Sequence, residues 1–148
     1  MLKKSLSLAV LLFLSACSSN IAEQKFPNAK YKISDKEMKA FILKMNNAEQ
    51  CIHPELKGLT YEQAEQQIYS KYSDGERFIW QMGIMPEFLA GVIGEKNVLT
   101  MMEDDDSFNY FSEKQKQLNN QQAKVDPVEC EKFKVEFFDA LDFLEGNP

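Results

Sequence analysis

Arginine and histidine are almost missing from this chain: Arg77 and His53 are the only examples. Acidic side chains outnumber basic ones by 23 to 17, for a net charge of −6. Neutralising phosphates needs a Lys/Arg excess on some face, so the balance argues against nucleic acid as a main partner. Six glycines and five prolines are too few for a collagen-like or low-complexity chain, and three cysteines too few for a disulfide-dense scaffold. A structural zinc site usually needs four Cys/His ligands, which the chain does not supply together. No Walker loop, Rossmann glycine pattern, Gly-x-Ser-x-Gly elbow or His-Glu-x-x-His motif occurs. No catalytic residue, metal or cofactor is therefore expected. What is present is ordinary globular material: 148 residues, 44% hydrophobic and 27% charged, enough for one domain with a core.

The N-terminus is of a different kind. Lys3 and Lys4 precede an apolar stretch from Leu6 to Leu14, interrupted by Ser7. A membrane-spanning helix needs about 20 apolar residues; this shorter run has the form of a secretory signal peptide. Its end, Leu14-Ser15-Ala16-Cys17, resembles the lipobox of bacterial lipoproteins. The resemblance implies cleavage before Cys17, diacylation of its thiol and acylation, typically with palmitate, of the new amino group. An ordinary signal peptide followed by a stray cysteine is the plainer alternative. Ser18 stands where the family's inner-membrane retention signal would place Asp, which implies the outer membrane. Each buried methylene contributes about 0.8 kcal/mol, so two or three acyl chains hold a protein firmly. The expected organisation is a signal peptide over 1–16, a lipid-anchored tether over 17–33 and a single helical domain over 34–148. Processing removes two lysines and leaves the domain more acidic.

With Cys17 assigned to lipid, Cys51 and Cys130 remain. In an oxidising compartment they have one intramolecular pairing. Two buried or reactive thiols are the alternative. No Cys-x-x-Cys motif supports a thioredoxin-like role. A second resemblance bears on this. Ala48-Glu49-Gln50-Cys51-Ile52-x-Pro54, Ile93-Gly94-Glu95, Asp104-Asp105 and Cys130 resemble a family of small two-cysteine Gram-negative lipoproteins with no assigned activity. The resemblance implies the bridge and the compartment, and no function.

The remaining pattern is helical. Ser34-x-x-Glu37 is a capping box ahead of Met38, Phe41, Ile42 and Met45, which predicts a helix over 35–50 ended by His53-Pro54. Thr60-x-x-Gln63 opens a second helix, with Tyr61, Ala64, Ile68 and Tyr72 on one side and Asp74-Gly75 as its breaker. The apolar segment Phe78–Gly94 is the central element, kinked or restarted at Pro86. Ser107 is placed as the cap of a fourth helix, and 113–124 as a solvated stretch. Asp126-Pro127 starts the last helix, with Cys130, Phe133, Phe137, Phe138, Leu141 and Leu144 as its apolar face and Gly146 as its stop. The fold class is all-α, a small bundle of four to six helices. One disulfide would staple the end of the first helix to the start of the last.

Candidate chemistry is sparse. His53 has Glu49 and Glu55 nearby, but a capping or surface histidine beside a proline is the plainer account. The acidic run Glu103-Asp104-Asp105-Asp106 fails the EF-hand pattern, because Asn109 and Gln115 fall where Gly and Glu are needed. Glu62, Glu65 and Glu87 offer carboxylates, but nothing selects a catalytic pair. The aromatics are more suggestive: Trp80, Tyr61, Tyr69, Tyr72 and Tyr110 carry polar handles and are candidates for a binding face, with core packing as the alternative. The leading expectation is a non-enzymatic module that faces the periplasm and binds another envelope protein. An immunity or exclusion protein against an envelope toxin is a narrower form of it. The other class is a small-ligand or peptidoglycan-associated binding or hydrolytic protein, with a pocket lined by Trp80 and the tyrosines.

Overall fold

The computed structural model describes residues 21–146, in which every regular element is helical and no strand occurs. The expected signal peptide and Cys17 lie outside the described residues. The elements are α1 (Ile21–Lys25), α2 (Asp35–Ile52), α3 (Tyr61–Gln67), α4 (Asp74–Phe78), α5 (Met85–Ile93), α6 (Glu95–Glu103), α7 (Asp105–Leu118) and α8 (Pro127–Glu145). Short 3₁₀ turns at Pro54–Leu56 and Tyr69–Lys71 flank α3, and a π-helical stretch, Ile79–Ile84, joins α4 to α5.

Capping fixes most boundaries. The Ser34/Glu37 and Thr60/Gln63 boxes close reciprocally at the heads of α2 and α3. Asp126 accepts from the backbone of Val128 and Glu129, with Pro127 behind it, and Gly146 ends α8 in a left-handed conformation. The all-α class holds, and so does the staple. Cys51, in the last turn of α2, is bonded to Cys130 in the first turn of α8, with Cα atoms 5.5 Å apart.

Several local expectations are corrected. The expected tether is not loose from residue 21 onward: Ala22 and Ile33 are fully buried, and the amides of Lys30 and Tyr31 donate to Asp104 and Ser107. Asp74-Gly75 does not break a helix. Ser73 and Glu76 form a third capping box, so these residues are the first turn of α4. Gly75 is there for proximity: a Cβ would sit 2.9 Å from Leu141 Cδ1. Pro86 stands in the first turn of α5, where the expected restart falls. The preceding turns widen, the Met85 amide donates to the Trp80 carbonyl, and the proline ring is accommodated. Residues 95–103, unassigned from sequence, form α6, set off from α5 by Gly94 at φ +83°.

At the head of α7 the cap is Asp104, not Ser107. Ser107 is buried inside the first turn, donating to Asp104 Oδ2 and accepting from the Tyr31 amide. Residues 113–118 are not frayed: α7 continues, and buried Lys114 pairs with Asp35 at the head of α2. The irregular stretch beyond is pinned too. Asn46 Nδ2 donates to the Gln121 carbonyl at 2.7 Å, and the Lys124 amide donates to Asn47 Oδ1 at 2.8 Å.

The core has two centres on either half of α2. One gathers Ala22, Ile33, Met38, Phe41, Leu89 and Phe111. The other gathers Ala48, Ile68, Tyr72, Trp80, Ile84 and Phe137 around the C-terminal end of α2. Chain-entropy reasoning gives a bridge across 79 positions a stabilisation of about 4–5 kcal/mol. Cys130→Ser should therefore lower the urea midpoint strongly, and reduced wild type should show the same midpoint. A reduced wild type that unfolds at the oxidised midpoint would refute this role for the bridge.

Candidate functional site

The aromatic set does not make one binding face. Trp80, Tyr72 and Tyr110 are core residues, only 5–6% exposed, and Tyr110 belongs to the other core centre. Trp80 packs on Phe133 and Phe137, with ring centroids 6.0 and 5.3 Å away, so it does not line an opening. Tyr61 opens α3, but its side chain lies outside what the structure describes. Tyr69 is half-buried. Side-chain type and helical spacing are visible in a sequence; the direction in which a helix turns its aromatic face is set by its neighbours.

Tyr69 and Tyr72 instead build a polar cluster at the C-terminal end of α2. The Tyr69 hydroxyl donates to Glu49 Oε2 at 2.8 Å, beside a cavity of about 50 Å³. Burial pushes the Glu49 carboxyl up to about 7, against the opposing effect of the Tyr69 bond. His53 stacks on Tyr72 at 4.4 Å, with Glu55 near Nδ1 at 3.3 Å and Glu76 near Nε2 at 3.2 Å. His53 thus ties the end of α2 to the first turn of α4. Burial and then Glu49 raise the Tyr72 phenol, whose hydroxyl has no partner among the described residues.

The other sequence candidates sit apart. Glu62, Glu65 and Glu87 are exposed on α3 and α5. Asp104 is held at about 2 by the Ser107 hydroxyl and then the Lys30 amide, while Asp105 and Asp106 lie in the first turn of α7. Among the described residues no group of three His, Cys, Asp or Glu side chains is arranged to hold a metal ion.

A larger concave feature was not anticipated from sequence. A groove of about 430 Å³ runs between α2, α8 and the 124–126 stretch. Ala48, the Cys51–Cys130 bridge, Phe88 and Phe133 supply its apolar lining, and Lys44 and Lys124 line it as well. Lys44 Nζ lies 5.8 Å from the centroid of the Phe88 ring. One signal for it was available: Lys44, Asn47, Ala48 and Cys51 recur at i, i+3, i+4 and i+7, a second stripe beside the core face of α2.

Glu49 makes stability depend on pH. Its folded value lies above the usual 4.5, so the native state holds the proton more tightly than the unfolded chain. Stability from this group is present at acid pH and is lost as pH rises from about 4.5 through 7, on the order of 3 kcal/mol in all. Glu49→Gln keeps the acceptor for Tyr69 and removes the titration. Wild-type melting temperature should fall between pH 5 and 8 while the variant's stays flatter; parallel curves would contradict the assignment.

No curated protein and no solved structure matches the chain. A family model does match, over residues 23–147, and those bounds take in every helix from α2 to α8 and both bridged cysteines. The chain belongs to that family, described as a family of unknown function (DUF5358).

Proposed function

We propose that this is a lipid-anchored module of the bacterial outer membrane that faces the periplasm and binds another envelope protein through the outer side of α8. The observation that carries the reading is a set of exposed apolar side chains on α8 and the run packed against it. Val128, Val135 and Phe138 are 64, 61 and 45% exposed on α8. Phe78 and Met82, on the helical run packed against α8, are 55 and 65% exposed. At about 100° per residue, Val128 and Val135 turn away from Phe133 and Phe137, which supply the core contact of α8, while Phe138 lies to one side with its ring edge-on to Phe137 at 5.4 Å. Single exposed apolar residues are commonplace, but a run of them along one element marks an interaction surface. Glu131 and Asp142 are interleaved with these residues on the same face and Asp139 lies beside them, so the fitting partner offers apolar and basic groups together.

The anchor rests on the lipobox resemblance, and the docking of α1 gives it a consequence. Five positions separate Cys17 from buried Ala22. At 3.3–3.6 Å per residue the lipid would lie within about 18 Å of the folded domain. The domain would be held close against the bilayer, not on a long leash.

Two measurements test the reading separately. Metabolic labelling with a palmitate analogue should mark the wild-type protein and fail on Cys17→Ser; labelling of both would refute the anchor. A photo-crosslinking residue at Val135 should capture one envelope protein in intact cells, and Phe138→Asp should abolish the capture. The same products from a crosslinker at Lys96 on α6, or none from Val135, would overturn the binding face.

A further inference from the structure

We infer that the groove over the disulfide is a binding site for a single-chain anionic amphiphile, a ligand with one hydrocarbon tail and a carboxylate or phosphate head. This goes beyond the protein-binding reading and uses the opposite side of α8: Glu136 faces the groove, while Phe138 is turned roughly 160° away from it.

The groove is held open by bonds within the fold. Its outer lip, residues 124–126, cannot collapse onto Phe88 and Phe133, because Asn47 holds the Lys124 amide and Asn46 holds the Gln121 carbonyl. Asp126 is fixed in place as the cap of α8. A volume of about 430 Å³ lies within the range of small-molecule sites, and a floor of two phenylalanines, an alanine and a disulfide offers a tail no polar partner. Phe88 and Phe133 stand 6.3 Å apart, centroid to centroid, so the aromatic floor is continuous.

Charge selects the head group. Of the three lysines at the groove, Lys132 is paired with Glu129 at 3.6 Å. Lys44 and Lys124 make no ion pair among the described residues. Of the three carboxylates, Glu129 is paired and Asp126 caps a helix, which leaves Glu136 alone on the α8 wall. The bond from the Lys124 amide to Asn47 brings the Lys124 backbone beside α2, one turn from Lys44. Lys44 rests over the Phe88 ring, so a cation stands directly above the apolar floor. An anionic head at Lys44 and Lys124 with its tail along Phe88 and Phe133 satisfies both halves of the site.

The test uses the mature full-length domain, with Trp80 as reporter because its ring packs on Phe133. Dodecanoate and a lysophosphatidate, each below its micelle concentration, are titrated beside dodecyltrimethylammonium. Saturable binding of either anion with one ligand per chain, about tenfold or more tighter than the cation, is the expected result. The Lys44→Glu/Lys124→Glu variant alters two exposed side chains, so it should melt as wild type does and bind the anions about tenfold or more weakly. Preference for dodecanoate assigns the ligand to the free fatty acids; preference for the lysophosphatidate assigns it to phospholipid-derived chains. No saturable binding of either anion, equal affinity for the cation, or unchanged affinity in the folded variant would overturn the inference. None of these would bear on crosslinking through Val135.

Discussion

Helix α8 joins the rest of the molecule through one covalent bond and a thin apolar strip. Phe137 is its one buried side chain among the described residues, with Phe133 and Leu141 half-covered beside it. A helix of 19 residues with so little buried surface is weakly held by packing alone. The Cys51–Cys130 bridge removes most of its freedom by fixing its first turn to the last turn of α2. The contact of Gly75 with Leu141, and the 2.9 Å hydrogen bond from Ser73 to Glu145, then hold the other end. Because α8 is fixed at two ends, one buried side chain, Phe137, suffices to seat its middle. The groove on one side and the exposed apolar row on the other both follow from that economy.

The opposite half of the molecule is held by polar ties on short helices. Asp104 is the hub there: it caps α7, accepts from the buried Ser107 hydroxyl and holds the Lys30 amide. Ser107 passes the tie on to Tyr31, and Lys114 locks α7 to the head of α2 through Asp35. Each such bond contributes little by itself, about 0.5–1.5 kcal/mol net. Their combined effect is positional, since they turn a polar, proline-containing lead-in into a docked segment that buries Ala22 and Ile33.

How far the sequence spoke follows from this difference. Caps are local chemistry, so Ser34/Glu37, Thr60/Gln63 and Asp126-Pro127 could be read directly, and the pairing of Cys51 with Cys130 followed from the count. The Ser73/Glu76 box was equally local, but Asp74-Gly75 carried a stronger breaker signal. That glycine answers to Leu141, 66 positions away, which no local pattern shows. Lys114 looks like one member of a solvated run until Asp35 is brought beside it. The aromatics failed as a binding face for the same reason: Trp80 and Tyr72 are amphipathic side chains that the second core centre turned inward. The groove depends on three separate elements meeting, and only its α2 wall left a trace in the spacing.

The two core centres also give the proposed anchor a direction. α1 packs with α7 and the N-terminal half of α2, as the Lys25–Glu113 bond and the burial of Ala22 require. Cys51 closes the other end of an 18-residue helix about 27 Å long. If Cys17 carries lipid as proposed, the first of these ends would face the bilayer across a link of at most about 18 Å. The bridge and the start of α8 then stand at the membrane-distal end. The groove, with its floor on the last two turns of α2, opens at that end as well. An amphiphile bound as proposed would lay its tail along Phe88 and Phe133 and its head at Lys44 and Lys124.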